Sequence, residues 1–354
     1  TLPQAKENAN LLGHKKGALY PWRTIMGVEC SGYYPSGTAQ YHINGDIAHA
    51  AAFYYSATAD LGFLEREGAE LLIETARVWS DLANLYDGKF HLNSVTGPDE
   101  YTCMINDNYY TNVCAKHNLL WAVRAFKLLK EQGLESAVMQ RTGVTDEELL
   151  EFQNVADNMY LPYDKKFGIN PQDDSFLRKK KWNFTGTPKA KYPLLLHFHP
   201  LHINRYQVCK QADTVLAHFL FEEEQNEETI RNSFLYYEKI TTHDSSLSNS
   251  IFSIVASRLG LYEKAYRYFN VSAKMDLYYT QNTKDGIHTA NMGGTYMAMV
   301  FGFAGLRIKE DGLHLRPAIP DEWESYRFKL FYHGCHLQVE ISRDEWRITL
   351  LKGT

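Results

Sequence analysis

The chain has 354 residues, of which 44% are hydrophobic and 22% charged, and it carries a net charge of −5. These values suit a globular protein with one large core, or a main domain with a small companion, at a prior of about 150 residues per domain. They argue against a nucleic-acid or anionic-membrane surface, because no basic run is long enough for one, Lys179-Lys180-Lys181 being too short, and no apolar run is long enough to cross a bilayer.

Five cysteines (Cys30, Cys103, Cys114, Cys209, Cys335) are odd in number, lie far apart and lack CxxC spacing. With no recognisable signal peptide, this fits a reducing compartment, and a cytoplasmic location is expected. The 24 Tyr, 18 Phe and 6 Trp suit sugar-binding walls as well as ordinary packing.

In chain order, residues 3–11 read as the last turns of a helix stopped by Gly13. A long loop, 14–38, carries Gly17-Ala18-Leu19-Tyr20-Pro21-Trp22-Arg23, Glu29 and the Tyr33-Tyr34 pair. Thr38 is expected to cap a helix over about 40–57, with Ile43, Ile47, Ala50, Ala51 and Tyr54 on its apolar stripe. A helix over 64–86 follows, then the polar loop Phe90–Tyr101, then a helix over about 107–132. A helical pair occupies 135–160, capped by Thr145-Asp146-Glu147-Glu148. Residues 161–210 lack periodicity, and irregular segments of that length are usually functional. Helices resume at about 211–223, 227–241, 247–259, 261–275 and 288–304, and antiparallel strands are expected at 326–333, 335–342 and 347–351. The pattern predicts a mainly helical body over 1–308 and a small β domain over 309–354. Long loops alternating with short ones suggest a toroid of helix pairs with its site on one face.

Four stretches concentrate polar and glycine residues. In Thr96-Gly97-Pro98-Asp99-Glu100-Tyr101, a Gly-Pro turn holds two acids beside aromatic neighbours, a setting that can keep a carboxyl protonated for proton donation. The plainer reading is that Asp99 and Glu100 cap the next helix. Gly286-Ile287-His288-Thr289-Ala290-Asn291-Met292-Gly293-Gly294 opens a helix with an imidazole, a hydroxyl and two glycines, a competent oxyanion or phosphate site. Its plainer reading is close helix packing. The other two are loop 17–42 and Gln207-Val208-Cys209-Lys210-Gln211-Ala212-Asp213, where Lys210 could simply pair with Asp213. His197, His199 and His202 lack the further ligands that zinc needs, so packing or hydrogen-bonding roles are expected and no metal is assigned.

Taken together, Gly17–Trp22, Gly37-Thr38-Ala39-Gln40-Tyr41-His42-Ile43-Asn44, Thr96–Tyr101 with Asn108-Tyr109-Tyr110-Thr111-Asn112, Lys210-Gln211-Ala212-Asp213, Thr242-His243-Asp244-Ser245-Ser246-Leu247-Ser248 and His288-Thr289-Ala290 with Gly293-Gly294 resemble the disaccharide phosphorylases of glycoside hydrolase family 65, in order and over most of the chain. That group includes maltose, trehalose, kojibiose and nigerose phosphorylases. The resemblance implies an (α/α)6 barrel followed by a small antiparallel β-sheet domain. It also implies an upstream β-sandwich, linker and first barrel helices, so the chain is expected to be a C-terminal part, its barrel incomplete at the N-terminal end, whose activity in isolation is poor. The family's Trp-Asp sugar-gripping motif is expected in that upstream portion.

The implied reaction is inverting phosphorolysis of an α-linked glucosyl disaccharide, maltose-type, to β-glucose 1-phosphate and a released sugar. Phosphate is a co-substrate and no cofactor is expected. By the motif match Glu100 is the general acid; Trp22, Lys210 and Gln211 bind the sugar; and His288, Thr289, Gly293, Gly294, Ser245 and Ser246 bind phosphate. Phosphate, already anionic, removes the need for the second carboxylate that an inverting hydrolase requires. A homodimer is expected from the family, and acceptor choice from residues 23–36 and 161–206. The alternatives are a trehalase-like hydrolase, for which Asp285 is the nearest second acid, and a carbohydrate-binding fragment without turnover.

Overall fold

The computed structural model describes residues 1–32, 37–278 and 286–353. Tyr33, Tyr34 and Asp285 therefore lie outside the described residues, as does part of the 23–36 loop. The chain divides into two units: Thr1–Tyr55 with Ala59–Phe184 and Phe198–Val208, and Ser56–Thr58 with Thr185–His197 and Cys209–Thr354. No helix among the described residues is long and apolar enough to cross a membrane.

In the first unit, the helices Ala69–Leu82, Tyr109–Glu131 and Asp146–Asp157 pack on one another around Leu72, Ile73, Trp79, Leu119, Phe126 and Phe152. Each such side chain contributes about 1.5–3 kcal/mol by burial. Trp79 Nε1 donates to Asn118 Oδ1 at 2.9 Å, and Asn118 Nδ2 donates to the Leu72 carbonyl at 3.1 Å, so the buried polar atoms are paired between helices. Thr145 caps the last of these helices as expected, accepting from Glu148 N at 3.2 Å.

Two expectations fail here. Thr38 does not cap the second helix, which runs His42–Thr58 from Tyr41 without a side-chain cap. Its buried residues are His42, Asn44, Gly45, Ala48, Ala51 and Ala52, so of the expected stripe Ala51 is buried whereas Tyr54 is exposed. The physical reason is close approach: a Cβ on Gly45 would stand 2.3 Å from Cys114 Cβ, so small residues face inward. The next helix also stops at Leu82 rather than running to 86. Asn84–Tyr86 and Lys89–His91 form a hairpin whose turn, Asp87-Gly88, has φ of +49° and +73°. A two-residue Asp-Gly turn with both φ positive is the preferred hairpin connection, and it overrides the helical spacing of Leu82 and Leu85.

In the second unit the helix Ser248–Arg258 is the hub, packing on Asp213–Leu220, Tyr262–Ala273, Thr289–Met297 and the Ala298–Phe303 turn. Small residues allow this crowding. Ser253 Oγ donates to the Ala265 carbonyl at 2.8 Å, and Ser257 Oγ donates to the Gly302 carbonyl at 3.0 Å. Beyond the helices, a hairpin absent from the sequence expectation pairs Arg307–Lys309 with Gly312–His314. The three expected strands follow as Ser325–Tyr332, Cys335–Ser342 and Trp346–Lys352, antiparallel with the middle strand central. Tyr326, Phe328, Val339 and Ile341 are their buried positions, alternating with exposed ones.

Two histidines of this unit tie its stability to pH. Burial pushes His218 down to about 3 and His243 down to about 4, from a usual value of 6.5. Both stay neutral in the folded protein while the unfolded chain takes up protons as the pH falls through 6.5. The stability they supply is therefore complete above pH 6.5 and is lost progressively towards pH 4 and below. Urea unfolding midpoints are expected to fall over that window, and His218→Gln to flatten the slope relative to the parent.

Candidate active site

The acid loop belongs to the first unit and is held from several sides. Val95 and Ile105 exchange backbone hydrogen bonds at 2.9 Å in both directions, closing residues 96–104 into a loop. Thr96 N donates to the Ala39 carbonyl at 2.8 Å, which fixes one leg against the segment before His42. Asp99, at the tip, is wholly buried; its carboxylate accepts from Gln172 Nε2 at 2.8 Å and from Tyr101 N at 3.2 Å. Glu100, beside it, is half-buried. Three non-glycine residues of this stretch, Ser94, Met104 and Asp107, stand at φ of +57°, +52° and +50°. Such backbone costs about 1–3 kcal/mol per residue and persists only where surrounding bonds over-determine it.

The helix-capping reading of the two acids does not hold. The following helix starts at Tyr109 and is capped by Asn108, whose Oδ1 accepts from Thr111 N at 2.9 Å. The acids instead sit in a loop braced by the irregular segment. Gln172, besides holding Asp99, presents its carbonyl to Tyr109 N at 3.0 Å and to Asn108 Nδ2 at 3.1 Å.

The 17–22 loop is fastened to the same unit through Asn44, whose Oδ1 accepts from Tyr20 N and whose Nδ2 donates to the Ala18 carbonyl, both at 2.8 Å. Trp22, half-buried, carries the Arg23 guanidinium 4.7 Å above its ring. Gly37 allows the chain to close on it, since a Cβ there would come within 2.9 Å of the indole.

The remaining predicted residues belong to the second unit. Cys209 and Thr242 bind each other's neighbourhood through Cys209 N to the Ile240 carbonyl (2.9 Å) and Thr242 N to the Cys209 carbonyl (2.8 Å). The Lys210–Gln211 segment thus runs alongside the Ser245–Ser246 loop, and Ser245 Oγ donates to Gln211 Oε1 at 2.6 Å. Lys210 and Ser246 are half-buried in the same two segments. His288 precedes the helix Thr289–Met297, and both its backbone N (2.9 Å) and its Nδ1 (2.7 Å) meet the carboxylate of Asp276. These bonds hold the Asp276 carboxyl below the usual carboxylate range.

The two glycines depart from the sequence expectation. Gly293 and Gly294 lie past the first four helical positions, so their N–H groups are used within the helix and are not free donors. Gly294 serves packing, because a Cβ there would stand 2.5 Å from Ser250 Oγ. Gly293 is exposed and a Cβ on it would meet nothing within 4 Å. Of the histidine-rich segment, His199 caps a short helix, accepting from Leu201 N at 3.2 Å, and His202 packs against Trp182 and Phe198.

Sequence comparison places these elements in a known family. Residues 1–297 match the glycosyl hydrolase family 65 central catalytic domain, and residues 306–354 match the family's C-terminal domain. The chain belongs to glycosyl hydrolase family 65. It is 58% identical to an alpha,alpha-trehalose phosphorylase of Geobacillus stearothermophilus, over 99% of this chain and 46% of that protein. It is 35% identical to a kojibiose phosphorylase of Caldanaerobacter subterraneus, over 99% of this chain and 48% of the relative. The solved structure of a putative kojibiose phosphorylase from human microbiome superposes with a TM-score of 0.90 at 30% identity, covering 100% of this chain and 52% of that one. The family 65 chain thus spans about half the length of the curated relatives it matches. Its fold class is the expected one, (α/α)6-barrel helices followed by a small antiparallel β-sheet domain.

Two residues of this family 65 chain that sequence reading missed, Gln172 and Asp276, support predicted ones. Gln172→Ala is expected to cost about 1.5–3 kcal/mol of stability by depriving a buried carboxylate of a donor. It should also lower kcat of the full-length protein about 100-fold with little change in KM, as a displaced acid does. The two glycines give a paired check by thermal unfolding. Gly294→Ala should destabilise by about 1–3 kcal/mol through overpacking against Ser250. Gly293→Ala should stabilise by up to about 1 kcal/mol, as expected for alanine at an open helical position.

Proposed function

We propose that the protein carrying this chain is a disaccharide phosphorylase that works with inversion on an α-linked glucosyl disaccharide of the trehalose type. The observation that carries the reading is the braced acid loop, with Glu100 fixed next to a buried, doubly bonded Asp99, in a chain of family 65. Trehalose rather than maltose is favoured because relatives named trehalose phosphorylase match at 58% and 48% identity, whereas those named kojibiose phosphorylase match at 32–35%.

In this reading Glu100 gives its proton to the glycosidic oxygen as the bond to C1 breaks. A phosphate oxygen attacks C1 from the opposite side, giving β-glucose 1-phosphate and free glucose. Lys210 and Gln211 hold glucose hydroxyls and Trp22 walls the sugar. Ser245, Ser246, His288 and Thr289 hold the phosphate at the positive end of the Thr289–Met297 helix. Gly293 leaves room for its approach, and Gly294 acts indirectly by seating that helix.

Among the described residues, the carboxylate bonded to His288 favours a phosphate nucleophile over a water activated by a base. A base works best with a pKa near the working pH. Asp276, the carboxylate bonded to His288, is held below its usual range by those two bonds and is spent on orienting the imidazole.

The test is sugar release by the full-length protein from trehalose, kojibiose, nigerose and maltose, with and without inorganic phosphate, beside its Glu100→Gln variant. We expect β-glucose 1-phosphate from trehalose only when phosphate is present, with kcat reduced about 10²–10⁴-fold in the variant. Release that ignores phosphate would establish the hydrolase instead.

A further inference from the structure

We propose that a cleft at the foot of the acid loop, within the first unit, is a second carbohydrate site that takes a neutral sugar. The cleft has a volume of about 300 Å³ and is built from the 84–91 hairpin, the two legs of the acid loop, Tyr160 and Asp174. That volume is at the lower end of what small organic ligands occupy.

Its wall is aromatic. The His91 ring stacks on Tyr160 at 4.6 Å and 27°, and Tyr86 meets His91 edge-on at 5.9 Å. Tyr86 is 70% exposed at the end of its strand, a large ring left beside a cavity. Hydrogen bonding comes from three amides, Asn84, Asn93 and Asn106, of which the last uses Oδ1 to accept from Ser94 N at 3.1 Å. The Asn106 NH₂ group and the Asn93 amide bind no protein group among the described residues. Aromatic faces for C–H surfaces, with amides for hydroxyls, is the chemistry that recognises a sugar ring.

The charges decide the class of ligand. No lysine or arginine lines the cleft, although Arg178 and Lys179 lie close enough to offset part of the Asp174 charge; with Asp107 and Asp174 the only charged carboxyls in its lining, phosphate or a sugar phosphate finds no cationic partner there. A cation is not favoured either. Asp107 is already spent, Oδ2 on His91 Nδ1 at 2.8 Å and Oδ1 on Leu92 N and Asn112 Nδ2 at 3.2 and 3.0 Å. That leaves Asp174 as a single open carboxylate, and no cluster of metal-ligating side chains occurs among the described residues. A neutral, hydroxyl-rich ring is what fits. Asn93 and Asn106 stand on opposite legs of the loop closed by Val95 and Ile105, so the site adjoins the acid without containing it.

The experiment is calorimetric titration of the full-length protein, in a Glu100→Gln background and without phosphate, using glucose and trehalose as probes. We expect a saccharide-binding event that weakens at least tenfold in both Tyr86→Ala and Asn93→Ala, while the thermal midpoint stays unchanged. No saccharide binding, or binding indifferent to both substitutions, would overturn the proposal. So would competition by inorganic phosphate for that event, or protection of Tyr86 from hydroxyl-radical footprinting in the sugar-free protein, which would mean that polypeptide fills the cleft. The phosphorylase reading stands or falls separately, on phosphate-dependent sugar release.

Discussion

A buried carboxylate is the constraint on which the first unit's candidate chemistry rests. Asp99 is fully removed from water, and a buried carboxyl group is tolerated only with hydrogen-bond partners around it. Gln172 supplies one, the Tyr101 backbone another, and the loop takes its shape from meeting both. Glu100 follows Asp99 directly, so fixing one fixes the backbone of the other. The residues held in left-handed backbone at Ser94, Met104 and Asp107 belong to the same bargain: local strain is sustained by the bonds of Asp107 and the Val95–Ile105 ladder. The irregular segment around Gln172 thereby serves as a brace for the loop.

The second unit solves a different problem, that of bringing helix ends close together. Serines along Ser248–Arg258 replace bulk with hydroxyls that satisfy carbonyls of adjoining elements, and glycines at 294 and 302 meet that helix where a side chain would collide or crowd. The loops before Asp213 and before Thr289 lead into helices packed on this one element, and the loop before Ser248 leads into the element itself. Polar loop residues far apart in sequence are therefore delivered by a crowded helical hub, and the Ser245–Gln211 bond is one visible result.

Much of this was legible in the sequence. Long amphipathic runs gave the helices, the alternation after residue 325 gave the three strands, and Thr145 announced its cap. The ends were less legible. Asp87-Gly88 is a strong hairpin signal, yet Leu82 and Leu85 keep helical spacing across it and mask the break. The inward face of His42–Thr58 was misjudged because its neighbours select small residues rather than apolar ones. Gln172 and Asp276 were beyond reach for a simpler reason. Their partners lie 73 and 12 residues away, and nothing local marks a glutamine or an aspartate as a brace for another side chain.

The His288–Asp276 pair also bears on how a glucoside-cleaving fold could come to use phosphate. A carboxylate that accepts from both the backbone and the ring of one histidine has a bond engaged on each of its oxygens. The same bonds fix the tautomer, since Nδ1 must carry the proton that points at Asp276, leaving Nε2 as the other ring position. An imidazole so oriented, beside the first turn of a helix, offers a polar group and a positive dipole end together. On the proposed reading, an anionic nucleophile arrives with its own charge and needs to be held rather than deprotonated. Orientation, which this pair supplies, then counts for more than basicity.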